Sequence, residues 1–447
     1  MFHLASSEVM AALTCLGTLL VFLCAYSLDC SWCRDFSFHD GLVLVIGCSI
    51  ACRRVASGRK CVWPRETDFT SRVAIVTGAS SGVGFSVAKQ LVQNGWTVVL
   101  AARDEGRLLR ARKEILSGNP RGRAVVLATL DLADFDSVRA FAATVLANKD
   151  YLPVSVLVNA AGVLRRHLYR CEGSGMEEMV ATNAVGPMLL TELLLPLLDE
   201  TAMRSGVSSR IVNVNSSCHK FLGMWHRRSP MEMLLRLHQA LGKSSAANVG
   251  DEDAGGLHGG QLVNTANYEV SDFTLGNFVG YDGLSKLCLA WWTAVMAHRL
   301  SLRFLPDGKR GHLRTECLRV IIASCHPGII TTHLYRDLFP TFVLDHIIYY
   351  PSLLIGKTWA EGAQAVLRLC VEREIIHDGY YLCSFEYGGN GPIDGRSRHA
   401  TDMEAARKFY AWAKERIEAQ ASAPARRKVS IVPDERIRRI TTLKILK

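Results

Sequence analysis

The first part of the chain is dominated by two apolar stretches. Residues 9–28 carry no charge and are mostly apolar, which matches the roughly 20 residues needed to span the hydrocarbon core of a bilayer. The second stretch, residues 41–52, has 12 residues and is typical of an interfacial or re-entrant segment. A cleaved signal peptide is the alternative, but it needs a basic start, and residues 1–8 contain no Lys or Arg. The pattern favours a retained membrane anchor.

From residue 72 the pattern changes to short apolar runs that alternate with amphipathic stretches. Residues 73–76 form a strand-like run, a glycine-rich turn covers 77–84, and residues 85–94 place their apolar side chains on one helical face. A second strand is predicted over 97–102. In this context a glycine-rich turn binds phosphate, because the following helix N-terminus offers free N–H groups and the positive end of a dipole. The pattern therefore predicts an α/β fold that binds a dinucleotide.

The net charge of +10 is concentrated in two flanks of the chain. Residues 53–65 hold five basic side chains and no acid, and residues 426–447 hold eight basic and two acidic side chains. The remainder is close to neutral, which argues against a nucleic-acid-binding face. The first flank follows the apolar stretches, so it predicts that the main body faces the cytosol. The second is predicted to form either a membrane-surface helix or a solvated tail.

The 14 cysteines do not form a recognisable metal or disulfide framework. Cys30 and Cys33 make a lone C-x-x-C without a second pair nearby, so no metal site is predicted. Seven of the 14 lie within the first 61 residues, mostly in or beside the apolar stretches, where cysteine behaves as a small hydrophobic residue. The remaining seven are scattered singly, as expected of reduced thiols in a cytosolic protein.

Six motifs occur in order along the body of the chain. The glycine-rich turn reads Thr77-Gly78-Ala79-Ser80-Ser81-Gly82-Val83-Gly84, which differs from the common G-x-G-x-x-G. The others are Asp131-Leu132 after a strand predicted over 124–130, Asn159-Ala160-Ala161-Gly162, Asn183, Asn215-Ser216-Ser217, and His326-Pro327-Gly328 with Thr332. Over about residues 70–420 this series resembles the short-chain dehydrogenase/reductase family, and most of all its retinol-dehydrogenase-like branch.

The resemblance implies a Rossmann-type doubly wound parallel sheet in a single domain with an N-terminal membrane anchor. The expected organisation is an anchor and basic linker over 1–69, the dehydrogenase domain over 70–420 with an insertion at about 222–275, and a basic tail over 421–447. It also implies a nicotinamide dinucleotide as cofactor. The expected cofactor-binding residues are Thr77, Gly78, Ser80, Ser81, Gly82, Val83, Gly84, Arg103, Asp131, Leu132, Asn159, Ala160, Gly162, Tyr281, Lys286, Pro327, Gly328 and Thr332.

The choice between NADP and NAD depends on the end of the second predicted strand. An acid there binds the ribose hydroxyls of NAD, whereas an arginine accommodates the 2′-phosphate of NADP. Arg103 and Asp104 supply both residue types. Because the strand is predicted to end at Arg103, we expect NADP, with NAD as the alternative. Both residues could instead only cap the next helix.

The catalytic residues implied by the resemblance are Asn183, Ser216, Tyr281 and Lys286. The family uses a Tyr whose pKa is lowered by a Lys four residues later, a Ser that binds the substrate oxygen, and an Asn that positions a relay water. Ser217 is the alternative to Ser216. Here Lys286 follows Tyr281 by five residues, and the residue four before Lys286 is Asp282.

Two interpretations of this spacing remain open. In the first, a π-bulge or an irregular helix start absorbs the extra residue, so that Tyr281 still works with Lys286. In the second, the chain binds the nucleotide without reducing anything. The fifth position of a regular helix lies about 100° further around than the fourth.

Two segments near the predicted active site indicate what it acts on. The insertion contains a predicted amphipathic helix over 231–241 and an acidic, glycine-rich loop over 251–260; it is either a lid or partner surface, or a tolerated surface insertion. Residues 338–350 are rich in apolar side chains where the family has its substrate lid, although core packing explains them equally well.

Together these features predict a membrane-bound, endoplasmic-reticulum-like enzyme that interconverts a lipophilic alcohol and its aldehyde or ketone with NADP(H). The sequence does not determine the oligomeric state, and a homodimer is one of the alternatives. The alternative is a catalytically impaired NADP-binding scaffold or interaction protein.

Overall fold

The computed structural model describes most of the predicted domain. The described residues are 58–64, 69–120, 122–150, 152–165, 168–172, 174–220, 222, 229–247, 260–262, 277–302, 318–328, 330, 356–373, 375–382 and 395–421, with isolated positions 43, 47, 50, 54 and 57. The predicted anchor over 9–28, the apolar segment 338–350 and the basic tail lie outside them.

Nine strands and eight helices organise the described part of the chain. The strands are β1 Val73–Thr77, β2 Thr97–Ala101, β3 Arg123–Val125, β4 Val154–Asn159, β5 Tyr169–Cys171, β6 Ser209–Val214, β7 Gly260–Leu262, β8 Val320–His326 and β9 Tyr380–Leu382. The helices are α1 Gly82–Gln93, α2 Glu105–Ser117, α3 Phe135–Ala147, α4 Glu178–Ser205, α5 Pro230–Ala247, α6 Asn277–Leu302, α7 Trp359–Val371 and α8 Met403–Ala421.

Seven of the strands form one parallel sheet in the order β3-β2-β1-β4-β6-β8-β9. Strands β1, β2, β4 and β8 are buried along their whole length, because helices cover both faces and leave no position for a solvated side chain. Helices α1, α2 and α7 pack on one face, and α3, α4 and α6 on the other, with α8 behind α6. This is the expected Rossmann-type doubly wound sheet.

The order of the sheet reverses between β1 and β4. In open α/β sheets, ligands bind at the carboxyl ends of the strands beside such a reversal. The turn after β1 is the predicted glycine-rich turn, and the turn after β4 is the motif Asn159-Ala160-Ala161-Gly162. The topology of the sheet therefore brings these two motifs together.

Two sequence expectations need correction. The strand predicted over 124–130 is shorter and ends at Val125, where its ladder with β2 stops at the pair Val99 and Val125 although β2 continues to Ala101. The chain still follows the sheet edge, where the Leu130 N–H donates to the Ala102 carbonyl over 2.9 Å. The helix predicted over 231–241 is α5, which extends to Ala247.

The start of the insertion is a docked part of the domain. Leu234, Leu237 and Leu241 of α5 are buried, and the His238 ring meets the Trp412 ring of α8 edge to face with 5.6 Å between centroids. Strand β7 then pairs antiparallel with β5. The described parts of the insertion are therefore tied to the domain at two places, and residues 248–259 lie outside the description.

Helix α4 is the one described helix that is long and apolar enough to cross a membrane, with a mean hydropathy of 1.4. It packs on the sheet through α3 and β4, and 78% of its most apolar window is buried. Its composition is explained by this core position.

Candidate active site

The glycine-rich turn after β1 requires the absence of side chains at two positions. Gly78 has φ +68°, and a Cβ there would lie 2.8 Å from the Cα of Ala161. A Cβ on Gly84 would lie 2.6 Å from the carbonyl oxygen of Gly78. Thr77 ties this turn to the next motif, because its Oγ1 accepts the N–H groups of Ala160 and Ala161 over 3.0 and 3.1 Å. The two turns thus form one rigid cradle.

Helix α1 begins directly in this cradle. Its N-cap, Ser81, has an extended backbone and makes no side-chain capping bond. The first N–H groups of the helix, from Gly82, Val83 and Gly84, have no partner within the helix. A helix N-terminus of this kind attracts an anion through these donors and through the helix dipole. The cradle therefore fits the pyrophosphate of a dinucleotide.

Arg103 and Asp104 have separate roles at the end of β2. The Asp104 carboxylate accepts the Arg107 N–H over 2.8 Å and caps α2. Arg103 takes no part in the cap, and its Nη1 lies 3.5 Å from Oε1 of Glu178. Asp104 is thus committed to the helix, while the Arg103 guanidinium faces the start of α4.

Three other expected cofactor residues support the backbone around the cradle. Asp131 accepts the Ala133 N–H over 3.0 Å, and Leu132 packs so closely on α4 that a Cβ on Gly186 would lie 2.2 Å from its carbonyl oxygen. Asn159 is 2% exposed and donates to Oδ1 of Asn213 over 2.9 Å. Its side chain joins β4 to β6 inside the fold.

Asn183 lies in a five-residue π-helical turn, Ala181–Val185, inside α4. Its Oδ1 accepts the Val163 N–H over 2.8 Å, and its Nδ2 donates to the Val163 carbonyl over 3.0 Å and to Oγ of Ser285 over 2.9 Å. Such wide turns commonly mark functional sites. Asn183 consequently connects the end of the β4 motif to helix α6, directly beside Lys286.

The Lys286 ammonium lies at the carboxyl ends of β4 and β6. Nζ is 3.5 Å from the carbonyl oxygen of Val214, and a Cβ on Gly162 would approach it to 3.5 Å. The expected residues Asn183, Gly162 and Lys286 are therefore brought together, at the place where a parallel sheet of this type binds its ligand.

Tyr281 and Lys286 lie five residues apart on one α-helix, an interval at which side chains point about 140° apart around the helix axis. Helix α6 is α-helical throughout Asn277–Leu302, so it shows no π-bulge of the kind that the first interpretation invoked, and the π-turn described at this site is the one around Asn183. Tyr281 is 9% exposed and belongs to the apolar cluster between the sheet and its helices. Burial and the nearby Glu177 raise its pKa well above the usual value.

Asp282 is the residue one helical turn before Lys286. It is 8% exposed, and burial raises its pKa while the Lys286 charge and a hydrogen bond from the Cys218 thiol oppose the rise. Glycine at position 283 permits this contact, because a Cβ there would lie 2.8 Å from the Cys218 carbonyl oxygen. The sequence shows that Asp282 lies four residues before Lys286. It does not predict that Asp282 is buried or that the Cys218 thiol donates a hydrogen bond to it.

Ser216 lies between the end of β6 and a 3₁₀ turn, Ser217–Lys220. Its Oγ accepts the Cys218 N–H over 3.3 Å, and its carbonyl oxygen lies 2.6 Å from Nδ1 of His219. Nε2 of His219 accepts the Ser397 N–H over 3.2 Å, so Nδ1 carries the proton. Burial lowers the pKa of His219 to about 4, which keeps the ring neutral. The hydroxyl of the alternative, Ser217, is buried and has no hydrogen-bond partner in the described part of the chain.

The motif after β8 is only partly described. Pro327 and Gly328 follow the strand, and Gly328 has φ +94°. Ile330 forms a bridge with Lys357. Thr332 lies outside the described residues. The turn therefore lies at the same edge of the sheet as the other motifs.

Comparison with known proteins agrees with this architecture. Residues 72–224 match the family model for short chain dehydrogenase. Human retinol dehydrogenase 11 is 41% identical over 157 residues, which cover 35% of this chain and 46% of that protein. The chain spans about half the length of the first such relatives, including the mouse enzyme of the same name at 51%. Mouse polyprenol dehydrogenase is 43% identical over 304 residues, which cover 68% of this chain and 72% of that protein.

The chain belongs to the short-chain dehydrogenase/reductase family. Its similarities lie in the retinol-dehydrogenase-like branch. Among solved structures, an uncharacterized protein from Mycobacterium paratuberculosis superposes with a TM-score of 0.51 at 23% identity, covering 81% of this chain and 98% of that one. That likeness supports the family fold.

Proposed function

We propose that this short-chain dehydrogenase/reductase is an NADP(H)-preferring oxidoreductase that interconverts a lipophilic alcohol and its aldehyde or ketone. The observation that carries the proposal is the chain of contacts from Val163 through Asn183 to Ser285. It links the dinucleotide cradle to the helix that bears Lys286. A protein that used the cradle only for structure would not need a lysine ammonium at the carboxyl ends of β4 and β6.

The cofactor would be held by residues of the cradle. The N-terminus of α1 with Gly78 and Gly84 would take the pyrophosphate, Asp131 and Leu132 the adenine, and Lys286 the nicotinamide ribose. Arg103 would bind the 2′-phosphate of NADP, since its guanidinium is not used to cap α2. A bound nicotinamide supplies or accepts the hydride, and the chain itself must handle the proton.

Asp282 is our candidate for the group that holds this proton. A carboxyl group can act as a general acid or base, and burial favours its protonated form at a higher pH than usual. Asp282 has the helical register with Lys286 that the family gives to its tyrosine. Ser216 would bind the substrate oxygen, and Asn183 would position a relay water that extends the shorter carboxyl side chain to the substrate.

The lipophilic substrate is supported by the names of the relatives, retinol dehydrogenase and polyprenol dehydrogenase. The apolar segment 338–350 and the predicted anchor over 9–28 agree with a substrate taken from a bilayer. We extend the proposal to a membrane location of endoplasmic-reticulum type with the catalytic domain in the cytosol, because basic residues follow the apolar stretches.

The experiment is NADPH consumption by the full chain in lipid nanodiscs, with long-chain aldehydes and a short aldehyde as substrates. Asp282→Asn should lower kcat by about a hundredfold or more, whereas Tyr281→Phe should keep most of it. If Tyr281→Phe abolishes turnover and Asp282→Asn does not, Tyr281 is the proton donor. Equal turnover of short and long aldehydes would contradict the lipophilic substrate.

A second candidate function is nucleotide binding without hydride transfer. It is favoured by the burial of Tyr281 in the apolar cluster and by the carboxyl group at the position of the family's phenol. NADPH binding, followed by the fluorescence of the nicotinamide, separates the two candidates. Binding without consumption of NADPH across the aldehyde panel would favour this second function.

A further inference from the structure

Glu178, the first residue of α4, is shared by two arginines. Its carboxylate accepts hydrogen bonds from Nε and Nη2 of Arg165 over 2.7 and 2.6 Å. Nη1 of Arg103 lies 3.5 Å from Oε1 of the same carboxylate. The side chains of Glu178, Arg165 and Arg103 are 10%, 12% and 25% exposed, respectively. The group therefore sits at the edge of the fold, with Arg103 as its most accessible member.

The two arginines are held unequally. Arg165 forms a two-point contact with Glu178, one hydrogen bond to each carboxylate oxygen, which is the strong arrangement for an arginine and a carboxylate. Its guanidinium also lies over the Tyr169 ring, 5.7 Å from the centroid. Arg103 meets the same carboxylate through one nitrogen at a longer distance. Arg165 is thus fixed, and Arg103 can exchange its partner at a smaller cost.

The position of this carboxylate follows from the local fold. Glu177 accepts the Val180 N–H over 2.8 Å and caps the start of α4, so Glu178 lies in the first turn, where the helix dipole favours a negative charge. Arg103 lies two residues beyond the end of β2. The start of α4 and the end of β2 thereby place an acid beside the arginine of the cofactor cradle.

We propose that Glu178 is a specificity-determining residue that reduces the preference of the site for NADP(H) over NAD(H). The inference rests on the proposed binding of a nicotinamide dinucleotide. A 2′-phosphate must share Arg103 with the Glu178 carboxylate and is repelled by its charge. The uncharged 2′-hydroxyl of NAD meets no such repulsion, and a nearby carboxylate can accept a hydrogen bond from it.

The test is the ratio of the two affinities, measured by nicotinamide fluorescence as NADPH or NADH is titrated into the full chain. Glu178→Gln keeps the size of the side chain and removes its charge. It should raise the preference for NADPH by about fivefold, the effect of one unit charge a few ångströms away in a wet site. Most of the change should come from tighter NADPH binding.

Two further variants keep the inference falsifiable. Arg165→Gln should shift the ratio towards NADH, because Glu178 would then be neutralised by Arg103 alone. Glu372→Gln is the matched control, because Glu372 forms an ion pair with Arg368 at the end of α7, with 2.6 Å between Oε1 and Nε. This variant should leave the ratio of the two affinities unchanged.

An unchanged ratio in both Glu178→Gln and Arg165→Gln would overturn the inference, as would an equal shift in Glu372→Gln. Failure of the unaltered chain to bind either nucleotide would instead overturn the proposed function on which it rests.

Discussion

The side-chain amide of Asn183 donates a hydrogen bond to Oγ of Ser285 over 2.9 Å, joining residues that are 102 positions apart. One belongs to the π-turn of α4 and the other to α6, next to Lys286. Ser285 in turn donates to the Asp282 carbonyl over 2.8 Å. The bond therefore fixes α6 relative to the turn after β4, and so sets the position of both Asp282 and Lys286.

We expect Asn183→Ala to destabilise the protein by about 2–3 kcal/mol. It removes three hydrogen bonds and leaves the backbone groups of Val163 without these partners. Ser285→Ala is the matched variant, since it removes the hydroxyl and should cost only about 1 kcal/mol. Urea unfolding measures both. Similar losses in the two variants would show that the contacts with Val163 contribute little.

Gly78→Ala should abolish dinucleotide binding, because the new Cβ would collide with the backbone of Ala161. Gly206→Ala provides the control, with almost the same backbone angle, φ +67° against +68°, and no atom within 4 Å of the new Cβ. Both variants carry the strain of a left-handed alanine, about 1 kcal/mol. NADPH titration and thermal unfolding should separate them, and retained binding in Gly78→Ala would contradict the cradle.

Glu177→Gln should change how stability depends on pH. Burial raises the pKa of Glu177 from 4.5 to about 7, although its hydrogen bonds from the backbone oppose the rise. Between these values the folded protein binds more protons than the unfolded chain, so this residue makes stability fall as pH rises from 4.5 to 7. The loss is on the order of 3 kcal/mol.

The measurement is the difference in free energy of unfolding between the unaltered protein and Glu177→Gln. This difference removes the effects of buried histidines such as His219, whose lowered pKa gives the opposite slope. A difference that stays constant from pH 4.5 to 7 would show that Glu177 is not perturbed.

Leu234→Ala should destabilise the protein by about 2–4 kcal/mol, because Leu234 of α5 is 1% exposed. The adjacent Leu235 is 40% exposed, so Leu235→Ala should cost less than about 0.5 kcal/mol. Denaturant unfolding followed by tryptophan fluorescence compares the pair. Equal, small effects would indicate that the start of the insertion does not pack on the domain.

Much of the scaffold was predictable because it depends on local patterns. The runs 73–76 and 97–102 and the glycine spacing between them predicted β1, α1 and β2 within a few residues. Strand β3 was overestimated, because the apolar run continues past Val125 while the ladder with β2 stops there. The docking of α5 was also not predictable. The sequence shows that α5 has an apolar face, but it does not show that α8 packs against that helix.

The candidate site was likewise predictable only in part. The sequence determined which side chains are present: the glycine cradle, Asn183, Ser216, Lys286, and the unusual interval of five residues between Tyr281 and Lys286. It left open whether the helix would distort to bring that tyrosine into place.

Only the tertiary structure decided this point. Helix α6 is packed between the sheet and α8, with Trp291 and Trp292 buried on it, and it remains a regular α-helix. The helical register then turns Tyr281 into the apolar cluster and places Asp282 beside Cys218 and Lys286. The pairing of Glu178 with Arg103 and Arg165 is likewise tertiary, because no local pattern brings together residues that are 13 and 75 positions apart.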